Sequence, residues 1–126
     1  RLLEAFNGPP VTEAQARTRL LSIQGIETVF LAEVEGQSAG FASLRLVPYL
    51  SDDVPRADLT ELYVDSAYRS RGIGRALVRR VEALARERGA TELIVLTGFD
   101  NQEAQAFYRS LGYRDAALAM DRPLSQ

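Results

Sequence analysis

Eight residues constrain this chain more than any others: Tyr68-Arg69-Ser70-Arg71-Gly72-Ile73-Gly74-Arg75. The run before them, Asp58 to Val64, alternates with the two-residue period of a strand. The run after them repeats apolar residues at Ile73, Ala76, Leu77, Val81 and Leu84, which predicts one helical stripe. The eight residues therefore join a strand to a helix, with glycines where a ligand must approach the backbone. Free N–H groups at a helix start and the helix dipole both favour an anion there. Arg69, Arg71, Arg75, Arg79 and Arg80 cluster around the junction, and no acidic residue lies between Ser66 and Val81. A local basic field in a chain of net charge -2 suits a pyrophosphate or a phosphorylated cofactor. The competing reading is a helix start with a solvated arginine face. The loop lacks the Gly-Lys-Ser/Thr ending of a Walker loop and the first glycine of a dinucleotide fingerprint.

Elements on either side complete the plan. Thr12 with Gln15 predicts a capping box for a helix ending near Gln24-Gly25. Arg1 to Phe6 reads as the end of an earlier helix, stopped by Asn7-Gly8-Pro9-Pro10. Thr28 to Val34 and Ser38 to Val47 flank a tight turn and predict a hairpin. Glu92 to Thr97 is a nearly continuous apolar run, predicted as a strand covered on both faces. A further helix starts at Asp100 or Asn101, with Ala104, Phe107, Tyr108 and Leu111 inward, and Gly112 ends it. Tyr113 to Leu124 has room for two short strands. The fold class is mixed α/β: an antiparallel beginning, then one strand–helix–strand crossover with Glu92–Thr97 parallel to Asp58–Val64.

Composition narrows the chemistry. The 126 residues fit one domain. Net charge gives no reason to expect nucleic acid, and no stretch is long and apolar enough for a bilayer-spanning helix, so a cytoplasmic location is expected. All 15 basic residues are Arg, which reads first as compositional bias and only by position as phosphate recognition. With no Cys and no His, thiol nucleophiles and the commonest base are absent, and no metal site is expected. Acid–base work falls to carboxylates and Tyr.

Two motifs together carry a family resemblance over nearly the whole chain. Arg69-Ser70-Arg71-Gly72-Ile73-Gly74 resembles the Arg/Gln-x-x-Gly-x-Gly/Ala signature of the GNAT N-acetyltransferase superfamily, preceded by Leu62-Tyr63-Val64 in the place of its cofactor strand. Asn101-x-x-Ala104-x-x-Phe107-Tyr108-x-x-Leu111-Gly112-Tyr113 resembles its second motif. Ser66 or Ala67 stands where many members have Pro. The resemblance implies a central mixed sheet with helices on both faces. It also implies a first strand missing ahead of Arg1, so that residues 1–126 form one N-terminally incomplete domain with a sheet edge beside Thr28–Val34.

The implied cofactor is acetyl-CoA, and the implied reaction is direct acetyl transfer to a primary amine. The pyrophosphate would sit on the N–H groups of Arg71, Gly72, Ile73, Gly74 and Arg75, next to Arg69 and Ser70. The pantetheine arm would pair with the Leu62, Tyr63 and Val64 backbone, with the Val64 N–H as oxyanion donor. Asn101 would bond the arm, near Ala104 and Phe107. Tyr108 matches the family's general acid, against the plain reading of a core tyrosine. Glu61 is the preferred base, with Asp58 and water as alternatives; by strict alternation Glu61 shares a face with Leu59 and Tyr63, and Asp58 lies on the other. Asp52 and Asp53 in the loop of residues 48–57 would suit a cationic acceptor. A protein or peptide acceptor and a non-catalytic acyl-CoA-binding domain are the alternatives. A homodimer is compatible with all three.

Overall fold

A computed structural model describes residues 12–125. The expected helix at Arg1 to Phe6 lies outside the described residues. The chain divides into two compact units, Arg1–Val95 and Leu96–Gln126.

The first unit begins with helix α1 (Glu13–Ser22). Thr12 Oγ1 accepts the Gln15 N–H while Gln15 Oε1 accepts the Thr12 N–H, the predicted reciprocal cap. Strands β1 (Glu27–Val34) and β2 (Gln37–Val47) form the predicted hairpin, and β3 (Arg56–Val64) pairs antiparallel to β2. A short 3-10 turn, Ser66–Tyr68, leads to helix α2 (Ile73–Glu87), after which β4 (Ile94–Val95) pairs parallel to β3. Among the described residues the sheet has four strands in the order β1-β2-β3-β4. Parallel pairing is what a helical crossover requires.

The two sheet faces have different jobs. Ala42, Leu44 and Leu59 are buried on one of them, together with Leu77, Val78, Val81 and Ala85 of α2. This α2 stripe is rotated from the predicted one, because Val78 and Ala85 turn inward and Ala76 faces solvent. On the other face, Arg17, Leu20 and Leu21 of α1 line a shallow groove with Glu27 and Val29 of β1. Helices thus flank both faces of a mixed sheet. β2, one of the two inner strands, is buried continuously from Ala39 to Leu44. There Gly40 is required: a Cβ on it would stand 2.5 Å from the Tyr63 carbonyl oxygen.

Two expectations about the later strands are corrected. β4 keeps only Ile94 and Val95 of the predicted six residues, and Leu96 is exposed. Its ladder with β3 has two rungs, Asp58↔Ile94 and Leu59↔Val95, and stops where β3 bulges at Thr60. The second unit holds helix α3 (Gln102–Ser110), ended at Leu111-Gly112 as predicted. The short strands expected in 113–124 do not form among the described residues, where Leu118, Met120 and Leu124 are exposed. An alanine-rich stretch closed by Pro123 has low strand propensity and lacks one ladder donor.

Candidate active site

The glycine loop is built by backbone conformation. Asp65 accepts the Ala67 N–H and starts the 3-10 turn. Ser70 then takes a left-handed φ of 64° and Gly72 one of 78°. Gly72 is the N-cap of α2, where no side chain caps the helix and no acidic residue occupies the first turn. A Cβ at Gly72 would meet open space, so glycine is there for its conformation and leaves the approach clear. The first N–H groups of a 15-residue helix thus open onto an unobstructed, positively charged end. That arrangement fits a pyrophosphate.

The arginines divide by their contacts. Arg69 Nε donates to the Val64 carbonyl oxygen at 3.1 Å, and its guanidinium lies 5.7 Å from the Tyr63 ring centroid. It therefore tethers the loop to the end of β3. Arg71 sits 5.5 Å from the Tyr68 ring centroid, and Arg79 is paired with Glu82 at 2.8 Å. Arg71 and Arg75 are exposed at the helix start. Ile73 and Gly74 are half-buried.

β3 carries the next group of residues. Past the last rung with β4, it continues through Leu62, Tyr63 and Val64, paired on its inner side to β2. The bulge changes which side chains share a face. Ser43 is opposite Glu61, but its neighbour Leu44 is opposite Leu59, so Thr60 is the extra residue. Arg45 is opposite Asp58. Ser43 and Arg45 point the same way, so Asp58 and Glu61 share a face, while Leu59 turns to the other. Strict alternation had separated the two acids and put Leu59 with Glu61. One inserted residue reverses that assignment. Asp58 is taken up by Arg56, whose Nε lies 3.0 and 3.1 Å from its two oxygens.

Glu61 is exposed, and its proton affinity is raised above the ordinary carboxylate range. Partial desolvation is the main cause and the charge of Glu27 the second; Arg19 opposes both. Glu27 is a residue the sequence reading missed. Its side chain is 8% exposed, contacted by the Thr60 hydroxyl and by Arg45 at 3.6 Å. Nothing in Gly25-Ile26-Glu27-Thr28 marks this acid as buried. The signal was available only in the pairing of three strands. Ser43, between Val29 and Glu61 in register, buries a hydroxyl with no hydrogen-bond partner among the described residues.

In the second unit, Asn101 Oδ1 accepts the Ala104 N–H at 3.1 Å, so Asn101 is the helix cap that its sequence position suggested. Ala104 and Phe107 are half-buried, and Tyr108 is buried. The Tyr108 ring meets Phe107 and Tyr113 edge-on, with centroids 5.2 and 5.6 Å away. Burial pushes its hydroxyl up to about 12. Tyr108 therefore holds its proton more firmly than a solvated tyrosine and remains a donor at any working pH.

The chain belongs to the acetyltransferase (GNAT) family, whose model matches residues 2–113. An uncharacterized N-acetyltransferase of Methanocaldococcus jannaschii is 33% identical over 88 residues, 68% of this chain and 38% of that protein. An aminoglycoside N(6')-acetyltransferase type 1 of Stenotrophomonas maltophilia is 33% identical over 91 residues, 69% of this chain and 60% of its own length. The chain thus spans less than two thirds of either relative. Among solved structures, an aminoglycoside acetyltransferase from an uncultured soil metagenomic sample has a TM-score of 0.74 at 27% identity, covering 97% of this chain and 80% of that one. The aminoglycoside acetyltransferase AAC(6')-Iy bound to a CoA bisubstrate analogue shares the fold, with a TM-score of 0.83 at 20% identity over 99% of this chain and 88% of its own. Among the described residues, no helix is long and apolar enough to cross a membrane.

Proposed function

We propose that the protein is an acetyl-CoA-dependent N-acetyltransferase acting on the primary amine of a small molecule. The observation that carries the reading is the left-handed Gly72 cap, which opens the start of α2 beside Arg71 and Arg75. Acetyl-CoA supplies an activated thioester. The backbone N–H groups of residues 71–75 would hold its pyrophosphate, and Arg69 would keep that loop on the end of β3. The Leu62–Val64 backbone would bind the pantetheine amides, with the Val64 N–H polarising the thioester carbonyl. Asn101 has a second acceptor lone pair and an amide group for the same arm.

Glu61 takes a proton from the acceptor ammonium, directly or through water. The amine nitrogen then bonds to the acetyl carbon, the carbon–sulfur bond breaks, and the Tyr108 hydroxyl protonates the departing thiolate; the nitrogen's second proton leaves through water to restore Tyr108, and Glu61 returns its proton to solvent. With neither Cys nor His in the chain, no covalent enzyme intermediate is expected. Two relatives that match the chain act on aminoglycosides, which favours a small polyamine-like acceptor over a protein. Residues 1–126 would form one domain working in the cytoplasm. The test is a panel of aminoglycosides, small amines and N-terminal peptides with acetyl-CoA, read by release of CoA thiol. Turnover on peptides alone would replace the acceptor class. Thermal stabilisation by acetyl-CoA with no turnover on any amine would make the chain a binding domain.

A further inference from the structure

Glu27 lies on β1, two strands away from Glu61 on β3, yet both belong to the sheet face beside α1. Its carboxylate is almost wholly removed from solvent, and two groups hold it: the Thr60 hydroxyl and the Arg45 guanidinium. The bulge gives Thr60 this reach. Its Oγ1 stands 3.2 Å from the Ser43 carbonyl oxygen and closer still to Glu27, so its one proton goes to the carboxylate. Thr60 precedes Glu61 directly, so the residue that anchors Glu27 also sets where Glu61 leaves the strand. Two partners thus hold the carboxylate in one place.

We propose that Glu27 is a positioning residue for Glu61: a fixed negative charge, clamped by Thr60 and Arg45, that makes Glu61 the more willing proton acceptor. The proposal rests on the reading of Glu61 as the acceptor of the amine's proton. The charged groups around Glu61 are Glu27 from β1, Arg45 from β2, Arg19 from α1, and Asp58 with Arg56 on its own strand. Arg56 offsets Asp58, Arg45 at 3.6 Å offsets part of Glu27, and Arg19 is attractive to Glu61; of the two acids, Glu27 is the one whose charge raises the proton affinity of Glu61. Desolvation raises Glu61 in the same direction. The coupling must therefore be read as the change on removing one charge.

Glu27→Gln does this while keeping an oxygen for Thr60. With carboxyl-labelled glutamate, nuclear magnetic resonance should show the Glu61 titration midpoint falling by about one pH unit in Glu27→Gln, the scale of one nearby charge. Glu27→Asp, which restores the charge, should bring it back toward the native value. The acidic limb of kcat/KM should shift with the same sign. An unmoved Glu61 midpoint in a folded Glu27→Gln protein overturns the proposal and leaves Glu27 a structural acid. Should that variant fail to fold, Thr60→Val loosens the clamp. A smaller shift in the same direction is then expected, and none would overturn the proposal equally. Full activity of Glu61→Gln would instead refute the base assignment, an outcome the resonance titration does not depend on.

Discussion

The acid and base roles proposed for Tyr108 and Glu61 make opposite demands on a proton, and their surroundings push both proton affinities upward. For the acid, burial keeps the hydroxyl protonated up to about pH 12. Tyr108→Phe removes only the donor and keeps the ring between Phe107 and Tyr113. Turnover should fall by about 10²–10⁴-fold, while acetyl-CoA affinity and melting temperature change little. Steady-state kinetics beside calorimetry checks this, and a large loss of stability would return Tyr108 to the role of a core residue. For the base, the sign runs the other way with pH. Glu61 accepts a proton only when ionised, and its raised affinity lifts the pH at which ionisation is lost. The acidic limb of kcat/KM should therefore lie above the ordinary carboxylate value of about 4.3, with the rate falling about tenfold per unit below it. A pH profile of the native enzyme and Glu61→Gln would show whether the limb belongs to this residue.

At the scale of elements, the strand pair β2–β3 and the start of α2 set the geometry. Gly40 pairs with Val64, where β2 approaches the Tyr63 carbonyl most closely. Gly40→Ala puts a methyl against backbone that has no rotamer to relax. It should destabilise by about 1–3 kcal/mol in chemical denaturation and weaken acetyl-CoA binding, since it spreads β3 where the cofactor strand is read. Gly74→Asp tests the helix start by two effects of opposite sign. A carboxylate in the first turn of α2 suits the helix dipole, so the free protein should keep or gain up to about 1 kcal/mol. The same charge repels a phosphate, so calorimetry should find acetyl-CoA binding lost. Retained affinity would remove the phosphate role of the loop.

For the whole molecule, the relevant quantity is where charge lies. For a chain of net charge -2, the proposed binding of a polyanion rests on arginines gathered at one helix start. Arg71→Ala and Arg75→Ala should weaken acetyl-CoA more at low salt than at high salt, because a Debye length of about 10 Å at 0.1 M already weakens the native contact. A loss independent of salt, measured by titration calorimetry across ionic strengths, would point to packing of Arg71 on Tyr68 instead.

Local signals were read directly from the residues. The capping box at Thr12–Gln15, the hairpin, the glycine loop, the Asn101 cap and the stop at Gly112 each depend on a few neighbouring residues, and each formed where expected. So did the parallel crossover, since a strand, a helix and a second strand allow little else. What needed the tertiary structure was every property shared between distant residues. The bulge at Thr60 arises from how β3 fits β2, and it moved Asp58 to the Glu61 face against the alternation. The length of β4 was decided by where β3 parts from it. The burial of Glu27 was decided by Arg45 and Thr60 reaching it from two other strands. A residue's chemistry is encoded in its own side chain, but its proton affinity and its face depend on neighbours that only the folded sheet brings within reach.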